Sequence, residues 1–129
     1  METERIQLSP KVIDSITTVY CQVKYSDATS SIPHITWQEN NLVIAELLLR
    51  GEGSGDALQL VNEVRSSHGL DGLSVVNLDV IYEERDKELF CTGSRLPDQQ
   101  RFNRWHHSSD KWQYLPIPQD ERDINPNIN

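Results

Sequence analysis

Residues 73–87 read LSVVNLDVIYEERDK, and the fold turns on whether that stretch is strand or helix. Ser74, Val76, Leu78, Val80 and Tyr82 occupy every second position, and all but Ser74 are apolar. The interleaved set, Val75, Asn77, Asp79, Ile81 and Glu83, is mixed. Successive side chains on a strand point to opposite faces, so this alternation describes one dry face and one wetter face. Val and Ile also suit a pleated surface better than a helix. The pattern therefore predicts a strand over Leu73–Glu83, closed by a charged turn at Glu84–Lys87.

Working outward, Glu88–Arg95 reads as a second strand. Pro97-Asp98 then breaks the chain, because proline has no N–H to give to a ladder. Arg101–His107 reads as a third strand and Lys111–Leu115 as a fourth, joined by a turn at Ser108–Asp110.

Upstream, Ser9-Pro10 suits a helix start, a hydroxyl cap followed by proline, with Val12, Ile13 and Ile16 on one face. Thr18–Tyr25 alternates as a strand, although Val12, Ile16, Val19 and Tyr20 also fit a helical stripe. Ser26–Pro33 is a polar loop. Ile35–Glu39 reads as a short strand turning at Asn40-Asn41 into Leu42–Arg50, which is apolar on both faces apart from Glu46. Such a run suits a central strand covered on both sides.

After the glycine-rich loop Gly51–Gly55, Asp56 and Gln59 have the spacing of a capping box. Ala57, Leu60, Val61 and Val64 form the buried stripe of a helix over Asp56–Ser67, and Gly69 stands where a left-handed cap is expected.

The expected fold is α+β. An antiparallel sheet of about six or seven strands carries one main helix across a face, with a short N-terminal helix. Residues 1–118 form a single domain in this reading, with Val76, Leu78 and Val80 meeting Leu60, Val61 and Val64 in the core. Residues 119–129 are a polar, extended, mobile tail.

The chain has 129 residues, 36% hydrophobic and 25% charged, which is globular composition, with a formal net charge of −8. That charge argues against general attraction to nucleic acid or anionic membranes. The acidic N-terminus Met1–Glu4 leads into no secretory core, and no apolar run is long enough to span a bilayer. Cys21 and Cys91 are far apart in sequence and read as free thiols of a cytoplasmic protein.

No pattern implies a cofactor, a metal or a catalytic set. Gly51–Gly55 precedes a helix as a phosphate loop does, but it lacks the Lys-Ser/Thr pair and carries Glu52 and Asp56 nearby; it reads as a linker. It also lacks the spacing of a nucleophile elbow around Ser54. His106 and His107 would face opposite ways on a strand and could not chelate one ion together. Asp79, Glu83, Glu84 and Asp86 alternate with Arg85 and Lys87, the pattern of a solvated hairpin tip.

The distinctive segment is Arg95–Tyr114, locally basic and aromatic in an acidic chain. Arg101, Arg104, Trp105, Trp112 and Tyr114 are residue types that dominate binding hot spots. They are the candidate partner-binding residues, with Trp105 as anchor and Arg101 and Arg104 as polar contacts. The bland reading is that the aromatics are sheet core covered by arginine stems.

The expected function is a small acidic protein-interaction module (adaptor, inhibitor, immunity protein or regulator) without catalytic activity. Its partner is another protein, and a homodimer is expected from an open sheet with an exposed edge strand. One alternative is a small-molecule-binding protein or enzyme, with its pocket between the sheet and the main helix. Another is single-stranded nucleic-acid binding through the C-terminal strands, which the net charge disfavours.

Overall fold

The computed structural model describes residues 5–6, 8–13, 17–105 and 116–127. Within them the protein is mostly helical, and the expected six- or seven-stranded sheet is absent. A single two-stranded ribbon, β1 (Leu8–Ile13) and β2 (Thr17–Gln22), precedes five helices. These are α1 (Trp37–Leu49), α2 (Ala57–Ser67), α3 (Leu78–Glu88), α4 (Arg95–Arg101) and α5 (Gln119–Ile124).

Each correction has a local physical cause. The stretch read as the organising strand is α3. Leu78, Ile81, Tyr82, Arg85 and Leu89 stand at i, i+3, i+4, i+7 and i+11, a helical stripe hidden by the arginine within it. Asn77 caps this helix, its Oδ1 accepting from Val80 N at 2.9 Å. Asp79 in the first turn and Arg85 and Lys87 in the last complement the helix dipole. The supposed charged turn at Glu84–Lys87 is simply the end of the helix, with Glu84 and Arg85 buried. The supposed second strand is the helix C-terminus and a turn in which Cys91 has φ 61° and Gly93 φ 88°.

The supposed strand pair Ile35–Glu39 and Leu42–Arg50 is one helix, α1. Thr36 caps it by accepting from Glu39 N at 3.2 Å. Asn40 and Asn41 are only weakly unfavourable inside a helix, so the good formers that follow, Leu42, Ala45, Glu46 and Leu47–Leu49, carry it through. Pro97 breaks nothing. It is the third residue of α4, inside the first turn, where an N–H would lack an intrahelical partner in any case. Arg101 ends that helix, so Arg101–Trp105 is helix end and turn, not strand. His106, His107 and the expected strand Lys111–Leu115 lie outside the described residues.

At the N-terminus, the expected short helix is β1. It pairs antiparallel with β2, Pro10 opposite Tyr20 and Val12 opposite Thr18. Every strand of a two-stranded ribbon is an edge, so Pro10 is tolerated. Of the strand expected over Thr18–Tyr25, Thr18–Gln22 is present in β2, and Val23–Tyr25 lie beyond its end.

The helix read over Asp56–Ser67 is also present. Asp56 Oδ1 accepts from Gln59 N at 3.1 Å, and Gly69, at φ 68°, follows the helix end. Gln59 does not complete a capping box; its amide turns to Glu63 Oε1 at 2.9 Å.

α1 packs against both α2 and α3, and α4 leans on α3. The core is Leu42, Ala45, Ala57, Val61, Val64 and Ile81, with Leu60, Leu73, Val76 and Phe102 packed around it. The expected meeting of Leu60, Val61 and Val64 with Leu78 and Val80 thus shifts to Ile81 and α1. The connection between α2 and α3 is pinned by Asn62, whose amide accepts from Leu73 N at 2.7 Å and donates to Leu73 O at 3.0 Å.

The ribbon is held to the helices at its base. Lys24 Nζ donates to Glu88 O and Phe90 O, both at 3.1 Å, satisfying carbonyls at the end of α3. α5 has no buried residue, and its six residues form a helix where an extended tail was expected.

Candidate functional site

The residues expected to bind a partner are placed unevenly. Arg101, at the end of α4, bridges two carboxylates of its own chain. It donates to Asp98 Oδ1 at 2.6 Å and to Glu46 Oε1 on α1. Its guanidinium also lies 4.6 Å from the Phe102 ring centroid. Burial alone would lower the Arg101 pKa, but the hydrogen bonds to Glu46 and Asp98 outweigh it and hold the group above its ordinary value. Arg104 pairs with Asp79 and stands 5.8 Å from the Tyr82 ring. Trp105 is half-buried. Trp112 and Tyr114 lie outside the described residues. Arg101 and Arg104 are therefore partly exposed cations already neutralised within the chain.

Behind them lie two ionic networks that the sequence reading missed. Asp98 receives a two-pronged contact from Arg85, Nε to Oδ2 at 2.9 Å and Nη2 to Oδ1 at 3.1 Å. Glu46, shared by Arg101 and Arg50, ties α1 to α4. In the second network Glu84 lies between Arg5 Nη1 at 2.5 Å and Arg65 Nη1 at 2.6 Å. Glu88 accepts from Arg5 Nη2 at 3.0 Å and meets His68 Nε2 at 2.8 Å. These charges fasten the N-terminal arm, α2, α3 and α4 to one another. Their sequence signal was present: charged residues on the inner side of a helix, each with an opposite charge elsewhere. It can be read only once the helix is known.

Among the described residues no group of three or more His, Cys, Asp or Glu is arranged to hold a metal ion. Gly51 (φ 91°) and Gly53 (φ 80°) turn the chain between α1 and α2. Cys21 and Cys91 are free thiols. No helix of the described residues is long and apolar enough to cross a membrane.

Among the described residues, no contact accounts for the outer side of α1. Leu42, Ala45 and Glu46 face the core. On the other side Val43 is 37%, Ile44 39%, Leu47 46% and Trp37 51% exposed. At 100° per residue these four, with Asn40, fall on one arc of the helix. The run read as a strand covered on both faces is thus a helix covered on one. Comparison with protein-family models, curated proteins and solved structures gives no match.

Proposed function

We propose that this protein is a small non-catalytic interaction module that binds another protein through the outer face of α1. The observation that carries this reading is the exposed arc of Trp37, Val43, Ile44 and Leu47, interrupted by Asn40, on a helix whose opposite face already fills the core. Exposed apolar side chains grouped on the outer side of a helix that already fills the core mark a contact surface. Trp37 is the residue type most enriched among interface anchors. With a net charge of −8, the partner fits best as an apolar surface rimmed by Lys and Arg, for which charge complementarity speeds encounter.

The expected anchor thus moves from Trp105 to Trp37. Arg101 and Arg104 would reach a partner only by sharing with Glu46, Asp98 and Asp79. Those pairings also weaken the nucleic-acid reading. The edge-strand argument for a homodimer goes with the sheet, and self-association becomes one outcome of the same test. Two free thiols suit a reducing compartment, so the reading places the protein in the cytoplasm.

The test inserts a photo-crosslinking residue at position 44 or, as a control, at exposed position 75, alongside the double substitution Ile44→Asp, Leu47→Asp. The reading expects a defined adduct from position 44 only, formed with a protein other than a second copy, and loss of that partner in the double variant with its helical spectrum retained. Equal crosslinking from both positions, partner binding unchanged in the double variant, or an adduct solely with a second copy would overturn it.

A further inference from the structure

The N-terminal arm, residues 5–25 with the ribbon at its centre, is attached to the helices by charge and not by apolar packing. Among the described residues, none from the arm belongs to the apolar core or to the hydrophobic side chains packed around it. Leu8, Val12 and Tyr20, on one face of the ribbon, are exposed. Val19 and Cys21, on the other, are only half-buried. The linker that follows, residues 26–36, contains no helix or strand.

Among the described residues, the arm's hydrogen bonds to the helices come from two cations. Arg5, its side chain 2% exposed, donates to Glu84 Oε2 at 2.5 Å, to the Glu84 carbonyl at 3.4 Å and to Glu88 Oε2 at 3.0 Å. Lys24 donates to the Glu88 and Phe90 carbonyls. The receiving carboxylates are also held by α2 and its cap, Glu84 by Arg65 and Glu88 by His68, so they keep partners of their own when the arm is gone. A buried ion pair gains little over its hydrated ions, because desolvation offsets the attraction. Arg5 Nε is moreover buried and donates to nothing, a cost of the closed arrangement. Detaching the arm therefore exposes no core and gives up contacts of small net worth.

We propose that the arm is a strap that opens from α2 and α3 as a unit while the helices stay folded, with Arg5 as its latch and Lys24 as a second hold. Closed, it covers Glu84 and Glu88 and forms part of the wall of a cavity of about 430 Å3. Lys24, Tyr25 and Pro33 line that cavity from the arm and linker, and Glu39, Glu88 and Cys91 from the helical side. It is not the pocket beside the Asp56–Ser67 helix that the sequence suggested. Open, the strap bares both carboxylates and the last carbonyls of α3 and removes one wall of the cavity. This device is independent of the α1 surface.

The test reads the distance between arm and helices. Nitroxide labels are placed at Cys91 and at Lys11→Cys, both exposed, in a Cys21→Ser background, and distance distributions are measured by pulsed electron resonance. The parent is expected to show a short-distance population and a minor, longer and broader one. The longer one should grow at least about twofold between roughly 0.1 and 1 M NaCl, as the Debye length falls from about 10 to 3 Å. In Arg5→Ala it should become the major population, with the helical circular dichroism melt unchanged. Arg5→Lys should fall between the two, because one amine lacks the planar fork that reaches both carboxylates. A single short distance at both salt concentrations, an Arg5→Ala distribution like the parent's, or loss of the helical melt in Arg5→Ala would overturn the proposal, the last by showing that arm and helices unfold together.

Discussion

Glu84, 3% exposed on α3, accepts from Arg5 and Arg65. Replacing it by alanine leaves two guanidiniums that have lost their shared buried counter-charge. Glu84→Ala is therefore expected to lose about 3–5 kcal/mol in urea unfolding; a midpoint close to that of the parent would show the cluster to be solvated. Tyr82, beside Phe102 with ring centroids 5.5 Å apart, gives a pH prediction. Burial raises its phenol pKa above the usual 10.0, and the Asp86 charge adds to the effect. The folded state thus holds the phenolic proton more tightly than the unfolded chain. The resulting stability is whole below about pH 10 and is lost as pH rises through the folded value. Urea midpoints on either side of pH 10 should therefore fall less steeply for Tyr82→Phe than for the parent.

Among the elements, α1 makes the sharpest distinction, because two leucines five residues apart have opposite surroundings. Leu42→Ala empties a fully buried site and is expected to cost about 2–5 kcal/mol. Leu47→Ala removes a side chain that is 46% exposed and is expected to change stability by less than about 0.5 kcal/mol. Equal losses in thermal or urea melts would place Leu47 in the core and remove the basis of the α1 surface. For α3, Asn77→Ala removes the cap and is expected to cost about 0.5–2 kcal/mol. α2 was legible because its signals agree: Asp56 at the start, an apolar stripe, Gly69 at the end. In α1 and α3 they conflict. Asn40-Asn41 imitates a turn, and Arg85 interrupts the apolar period of α3 while Val76, Leu78, Val80 and Tyr82 imitate a strand.

For the molecule as a whole, the helices cohere through a small apolar core supplemented by buried charge, and the two ends of the chain contribute differently. The N-terminal arm is clipped on by Arg5 and Lys24, whose partners are carboxylates and carbonyls of α3 and of the turn that follows it. Two-stranded ribbons are marginal alone, so the arm depends on those contacts. α5 buries nothing, and truncation after Pro118 is expected to leave the melting temperature within about 2 °C of the parent's. A larger fall would show that residues 119–129 dock on the rest. The sequence by itself determined what local chemistry determines: the α2 helix and its cap, most of strand β2, and the acidic composition. Tertiary structure alone decided which face of α1 is inside and that Glu84, Arg85 and Asp98 are buried. The reason is that burial and ion pairing depend on partners up to 83 residues away along the chain, and a short sequence pattern records only neighbours.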